Sequence, residues 1–468
     1  MRHRFAKILA TLGPASRAPD TMRLLSDVGV DAFRLNFSHG SHDDHKANID
    51  AIRRIEEETG RSIAIVADMQ GPKLRVGEMG KGLELRYGDT VRLRCAEESD
   101  GTDIVHPHAE LEQILEPGLI LKFDDGKLQV TMISDTEARV DVPGLLQSRK
   151  GINVVNKVLP MSAMTPKDER DMQFAMDNGA DWIALSFVQT ARDVMDARKV
   201  IDAHPKASGT GIIVKIEKPS AVEDLHSILS MADAAMVARG DLGVELPLER
   251  VPVVQRQIIR KGRELGKPVI VATHMLESMI DAPTPTRAEA SDVATAIYQG
   301  ADAVMLSAET AVGRHPATAV AIMDRIITAA ESDPILWEYF YQTELPHEGS
   351  AEDAISQSVK TIARTMGAKA VFGYTKSGST VARISRERPP CRIIGLTPSR
   401  RAASQMALIW GAHAVLTDDP SGFDAMAEHV QTLARDVGLD TGDRILISAG
   451  VPFGVPGTTN TLKIDTVA

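Results

Sequence analysis

Apolar and polar positions follow two different periods along the chain. From Lys7 to Ser38 an apolar run (KILATL) leads into a segment of helical period (TMRLLSDVG) and a second apolar run (DAFRLNFS), which predicts strand, helix, strand. A segment with Ile49, Ile52 and Ile55 on one face follows, then SIAIVAD, so two β-α units are complete by Asp68. Between Gly71 and about Lys150 the pattern becomes short alternating stretches (LELRYGDTVRLRC, LILKFDDGKLQVTMI, EARVDV) broken by Gly and Asp, as in a small all-β insertion. The α/β rhythm resumes at Thr165, an N-cap with Pro166 behind it, and runs through DERDMQFAMDNG into DWIALSF. GIIVKIE, AAMVA, KPVIVAT and DAVMLSA bring the count to eight near-continuously apolar strands alternating with helices. That series predicts a closed parallel (β/α)8 TIM barrel.

A faint repeat supports the barrel: Gly29-Val30-Asp31, Gly179-Ala180-Asp181 and Gly300-Ala301-Asp302 each precede a strand whose leucine (Leu35, Leu185, Leu306) is expected to face a core. After a helix from about Pro316 to Glu331 and a polar break (QTELPHEGS), KAVFGYT, RIIGLT, HAVLT and DRILISA alternate with helices in a smaller, open α/β unit. The expected seams put residues 1–70 and 151–340 in the barrel, 71–150 in the insertion and 341–468 in the last domain.

Composition narrows the function classes. A length of 468 residues suggests about three domains, and 43% hydrophobic with 25% charged residues suits a globular chain. The formal charge of −11 disfavours nucleic acid and anionic membrane as partners, so an anionic ligand needs positive charge gathered in one cleft. No run of about 18 apolar residues suggests a membrane span. The apolar stretch near the start is short and ends at Gly13-Pro14, unlike a signal peptide. Cys95 and Cys391 have no metal-ligand spacing and imply no disulfide framework, which fits a reducing cytoplasm.

In a barrel of this kind chemistry belongs at the C-terminal strand ends. The polar residues there are Arg34, Asn36, Ser38 and His39 after the second strand, Asp68 after the third, Lys215 and Glu217 at the fifth, Asp241 after the sixth, Thr273 at the seventh, and Ser307 and Glu309 at the eighth. Lys215 and Glu217, two apart on a strand, project to one side and would lie buried in the mouth. An isolated buried Lys-Glu pair is ordinarily structural. Here Asp241 adds a second carboxylate, and two adjacent carboxylates call for a cation, with Mg²⁺ the natural candidate. Arg34, Arg75, Lys150 and Lys215 could then gather opposite the metal and serve a phosphoryl group.

These residues stand in longer motifs that resemble those of pyruvate kinases: AKILATLGPAS (6–16), FRLNFSHG (33–40), ADMQGPKLRVG (67–77), KGINV (150–154), TPKDERD (165–171), IALSFV (183–188), IIVKIEKP (212–219), MVARGDLGVELP (236–247), KPVIVATHMLESM (267–279), PTRAEASDVA (285–294), ADAVMLSAETA (301–311) and GTTNTLKI (457–464). The resemblance spans essentially the whole chain. It implies a TIM barrel, a small β-barrel lid inserted after the third strand, and a C-terminal effector domain in a cytoplasmic homotetramer. The implied reaction converts phosphoenolpyruvate and ADP into pyruvate and ATP. Glu217 and Asp241 would hold Mg²⁺ (or Mn²⁺), Lys215 would stabilise the transferring phosphoryl group, and Arg34 would contact phosphate. Asn36, His39, Arg75 and Lys150 would lie on the nucleotide side, with Gly240 and Thr273 at the substrate acid. Thr273, Ser307 and Glu309 would form the network that protonates the enolate.

Two departures from the family pattern matter. Potassium-dependent members resemble one another in carrying Asp-Thr and then Glu after Gly-Pro; here Asp68-Met69 and Gly71-Pro72-Lys73 stand in those places. Lys73 would supply a fixed ammonium in the region of Asn36, Ser38 and Asp68, so potassium is expected to be dispensable. His274 replaces the usual Gln, which preserves hydrogen bonding and could alter the pH response. In the last domain Thr375, Lys376, Ser377, Gly378, Ser379 and Thr380 join a strand to a helix and could receive the phosphate of an effector, covered by a loop around Gly454 to Thr459. A capped turn would look the same. Two other classes compete: a Mg²⁺-dependent barrel lyase or aldolase, and a catalytically silent ligand-sensing relative. The first leaves the lid, Arg75, Lys150 and Lys215 without purpose; the second disregards the intact catalytic positions.

Overall fold

The computed structural model describes residues 2–155, 157–347, 349–420, 422–451 and 459–468. Eight parallel strands close into the expected barrel: β1 (Lys7–Thr11), β2 (Ala32–Asn36), β3 (Ala64–Asp68), β4 (Trp182–Leu185), β5 (Gly211–Ile216), β6 (Ala234–Ala238), β7 (Val269–Ala272) and β8 (Ala303–Leu306). Each pairs with its sequence neighbours, and β1 closes the ring onto β8. The strands are apolar almost throughout because both faces are covered. Leu9, Val66, Trp182, Ile213, Met236 and Met305 fill the interior, while Leu35, Leu185 and Leu306 pack outward in the helix-facing core. Trp182 takes so much room that Gly211 on β5 must lack a side chain: a Cβ there would stand 2.4 Å from the indole. The helix Pro166–Asp177 begins as the sequence suggests, with Thr165 and Asp168 capping one another.

The insertion has its own apolar core and forms a separate curled-sheet domain. Its main sheet is six-stranded, in the order Ile152–Val154, Ile120–Phe123, Leu128–Met132, Glu137–Val142, Thr90–Cys95, Ile104–His106, and a two-stranded ladder (Gly144–Leu146 with Leu83–Leu85) accompanies it. No pairing among the described residues joins the first of those six strands to the last. The pairing of this domain also runs on past Lys150, through Ile152–Val154.

The C-terminal domain is an open five-stranded sheet ordered Ala412–Leu416, Arg392–Thr397, Ala370–Tyr374, Arg444–Gly450, Thr459–Thr466. The last strand is antiparallel to its neighbour. This domain also finishes the barrel. Ala407 and Leu408, just after the helix Arg400–Met406, pack among the interior residues of β1 to β8, and Leu408 is fully buried. Around them Lys7 Nζ donates to the Ala412 carbonyl at 2.6 Å, Arg388 meets Asp302 at 3.0 Å, and Trp410 stacks on Phe5 with centroids 4.5 Å apart. Among the described residues no helix is long and apolar enough to cross a membrane.

Candidate active site

The strand ends at the mouth bring together four charged side chains of alternating sign. Arg34, midway along β2, donates from Nε to Asp68 Oδ2 at 2.6 Å, and from Nη1 to Thr11 Oγ1 at 3.2 Å. Lys215 on β5 lies 3.5 Å from Asp68 Oδ1 and 3.0 Å from Glu217 Oε1. It donates to Ser186 Oγ at 2.8 Å, and Ser186 in turn donates to the Met69 carbonyl at 2.7 Å. Asp68 and Glu217 are buried, and the two cations keep only a sliver of exposure.

Electrostatics follow from that packing. Burial would strip the proton from Lys215, but Asp68 and Glu217 outweigh it and hold the ammonium above the usual lysine range. Burial works against the Asp68 carboxylate, yet Lys215 and Arg34 keep it below its ordinary value. Glu217 goes the other way: burial pushes it up to about 7, against the pull of Lys215, and the negative charge of Asp241 adds to the push. Glu217 Oε2 accepts the Phe187 N–H at 2.8 Å, while buried Oε1 faces the Lys215 ammonium. Lys215 is the one cation against Glu217, and the Asp241 carboxylate has no side-chain partner among the described residues, so the two acids together leave negative charge for a divalent cation to neutralise. Among the described residues no three His, Cys, Asp or Glu side chains converge on a metal position. Two carboxylates suit Mg²⁺, which takes few protein carboxylates and completes its shell with water and ligand oxygens.

Backbone strain occurs on both sides of the mouth: Phe187, beside Glu217, and Thr273 and His274, after β7, all have positive φ (54°, 66° and 54°), and none is glycine. Arg239 holds the strained turn in place: its Nη2 donates to the Thr273 carbonyl at 2.6 Å, its Nε to the Ala272 carbonyl at 3.2 Å, and its Nη1 pairs with Asp292 at 2.7 Å. Thr273 Oγ1 donates to the Ala272 carbonyl at 2.6 Å and accepts the Gly240 N–H at 2.8 Å. The backbone N–H at Gly240, a residue the resemblance puts at the substrate acid, is thus already engaged. Glu309 is fully buried, with Oε1 on the Leu276 N–H (3.1 Å) and Oε2 on the Ser307 N–H (2.7 Å). Burial raises its pKa. Both of its oxygens fix backbone, and no hydrogen bond links it to Thr273. Ser307 Oγ is buried without a partner among the described residues.

Other expected residues sit apart from this cluster. Asn36 Oδ1 caps the Ser38 N–H at 3.1 Å, and the exposed His39 accepts His45 Nε2 at its carbonyl, 3.0 Å away. Arg75 and Lys150 are held by the inserted domain: Arg75 N–H donates to His108 Nε2 (2.9 Å), Arg75 Nη1 to the Arg149 carbonyl (3.1 Å), and Lys150 pairs with Asp124 at 2.9 Å. Lys73 is half-buried, lies along Gly151 and forms no ion pair with Asp68, which Arg34 and Lys215 have already taken. In the C-terminal domain Thr375 Oγ1 accepts the Gly378 N–H at 2.9 Å, Ser377 Oγ donates to Ser379 Oγ at 3.2 Å, and Thr380 meets Thr459 at 2.8 Å, leaving Lys376 exposed at the tip. Of the loop expected to cover it, residues 454–458 lie outside the described residues.

Four contributors had no individual signal in the sequence: Ser186, Phe187, Arg239 and Glu245. The first three touch Lys215, Glu217 and Thr273 as described; Glu245 closes the helix Arg239–Glu245 that carries Asp241.

Comparison with known proteins matches both halves of this architecture. A family model described as pyruvate kinase, barrel domain, matches residues 3–320, and one described as pyruvate kinase, alpha/beta domain, matches residues 353–465. The chain is 46% identical over 471 residues to a pyruvate kinase of Methylorubrum extorquens, covering 99% of this chain and 97% of that one. A pyruvate kinase of Agrobacterium vitis is 45% identical over 470 residues, covering 99% and 98%. The crystal structure of a pyruvate kinase from Cryptosporidium parvum superposes with a TM-score of 0.93 at 31% identity, over 99% of this chain and 96% of that one.

Proposed function

The chain belongs to the pyruvate kinase family, a family of transferases, and from that premise we propose how its own residues convert phosphoenolpyruvate and ADP into pyruvate and ATP. The observation that carries the reading is the Lys215 ammonium, largely buried, kept charged by Asp68 and Glu217 and aimed by Ser186. Phosphoryl transfer needs alignment and neutralised charge rather than a covalent nucleophile. Lys215 supplies a fixed cation to the transferring group and Arg34 a second, each anchored to Asp68 so that neither has to reorganise during transfer. Glu217 and Asp241 would hold Mg²⁺ or Mn²⁺, which supplies further charge neutralisation at the phosphoryl group and the substrate acid.

The substrate carboxylate is assigned to the turn at Gly240 and Thr273. Using that turn requires the Thr273 hydroxyl to give up its contact with the Gly240 N–H. Thr273 and Ser307 remain our candidates for delivering a proton to the enolate, and Glu309 acts by holding the Ser307 and Leu276 backbone in register. Asn36 and His39 on the barrel, with Arg75 and Lys150 on the inserted lid, are assigned to the nucleotide, whose enclosure excludes competing water.

Further readings concern ions, regulation and assembly. We infer that Lys73 makes potassium unnecessary, and that the turn from Thr375 to Thr380 binds a phosphorylated effector. A cytoplasmic homotetramer, with the lid taken as 71–154, is the assembly we propose. The test is coupled detection of pyruvate with Mg²⁺ and without potassium. Pyruvate must appear only when ADP is present, and Lys215→Met must abolish it. Pyruvate released without ADP would favour the lyase reading and overturn this one.

A further inference from the structure

Glu245 is an acid with no role in the transfer reaction, yet it is 2% exposed and joins three parts of the molecule. It ends the helix Arg239–Glu245, one turn beyond Asp241 and on the same face. Its Oε1 pairs with Lys218, the residue that follows Glu217, and accepts Asn153 Nδ2 at 3.1 Å from the inserted domain. Lys218 and Asn153 are themselves buried, and Glu245 Oε2 has no partner among the described residues. The carboxylate is thus committed to these two contacts. A second tie lies alongside: Lys122 Nζ, also from the inserted domain, donates to the Val244 carbonyl at 2.6 Å. The same domain's turn at Gly126 approaches Val244, and Asp124 of that turn holds Lys150.

The two carboxylates assigned to the metal therefore sit on separate pieces of backbone that meet at Glu245. One piece reaches it through Lys218, directly after Glu217. The other is the helix that begins with Asp241. The inserted domain presses on the junction from above. A shift of that domain must move Asn153 and Lys122, and with them the helix that sets where Asp241 points. Partners of this kind orient ligating groups without touching the ion.

We propose that Glu245 is a positioning residue, which sets the spacing of Glu217 and Asp241 and makes that spacing depend on whether the inserted domain is docked. The proposal rests on the assignment of Glu217 and Asp241 as the metal pair, so the experiment separates the two ideas. Mn²⁺ binding is measured by the electron paramagnetic resonance signal of the free ion, with the full-length parent, Asp241→Asn, Asn153→Ala, Lys122→Met and Glu245→Gln. Asn153→Ala and Lys122→Met leave the Lys218–Glu245 pair intact and carry the test should Glu245→Gln fail to fold. Each is expected to weaken Mn²⁺ about tenfold, to raise hydrogen exchange in residues 239–245, and to lower kcat more than it raises the KM for phosphoenolpyruvate. Parental Mn²⁺ affinity in both lid variants, with Asp241→Asn strongly impaired, overturns the positioning role alone. Parental affinity in Asp241→Asn overturns the metal assignment and the positioning role with it.

Discussion

Ser186 offers the sharpest test of how Lys215 is aimed. The residue is 2% exposed, and its hydroxyl accepts a hydrogen bond from the ammonium at 2.8 Å and donates one to the Met69 carbonyl at 2.7 Å. Ser186→Ala removes both bonds and nothing else of size. The charge on Lys215 persists, because Glu217 at 3.0 Å and Asp68 at 3.5 Å remain, but the ammonium is free to slide along the two carboxylates. A hydrogen bond to a charged group contributes about 1.5–3 kcal/mol. If that is the cost of re-aiming Lys215 at the transition state, kcat falls roughly 10- to 150-fold. Stability falls by about 1–3 kcal/mol as the Met69 carbonyl loses its donor. Pyruvate formation coupled to NADH oxidation gives the rate at saturating substrates, and a melting curve gives the stability. Parental kcat alongside a lowered melting temperature would show that the carboxylates alone aim Lys215, and would refute the reasoning.

Leu408→Ala should destabilise the protein by about 2–5 kcal/mol, because the leucine is fully buried in the barrel interior; a melting temperature within a degree or so of the parent's (well under 1 kcal/mol) would contradict the packing role. Glu331 accepts the Phe5 and Ala6 N–H groups at 2.8 and 2.7 Å, and burial pushes it up to about 7 from 4.5 against those contacts. A raised carboxyl stabilises the fold fully below pH 4.5, and that contribution is lost as pH rises through about 7. The melting-temperature gap between the parent and Glu331→Gln should therefore narrow from pH 5 to pH 8, and a constant gap would count against it. Lys73→Glu should create activation by KCl in tetramethylammonium buffer where the parent has little; strong activation of the parent itself would dispose of the idea.

The eight barrel strands were legible because burial on both faces makes each one a nearly unbroken apolar run, and their order follows from right-handed crossover connections. Three-residue strands carry no such period, which is why Ile152–Val154 read as barrel although it pairs with Ile120–Phe123 in the insertion. Thr459–Thr466 escaped because it is polar and mostly half-exposed at a sheet edge. At the site, the gathering of Arg34, Asp68, Lys215 and Glu217 followed from strand ends sharing one mouth. The allocation of partners did not. The sequence puts Asp68 in one region with Lys73, but the register of β2 with β3 places Asn36 opposite Asp68 and leaves its carboxyl to Arg34 and Lys215. Glu309 read as a proton carrier because its backbone partners depend on loop paths that no local pattern encodes. Arg239 was hidden for the same reason, since it acts on carbonyls of a turn whose positive φ is invisible in letters.

Leu408 gives the cylinder a floor supplied by a different domain. Excising the barrel as a stand-alone scaffold would open a hole lined with Leu9, Val66, Trp182 and Met305, and a transplanted C-terminal domain would have to bring its own stopper of matching volume. The same seating ties the terminal domain to the foot of the strands whose other ends carry Arg34, Asp68 and Lys215.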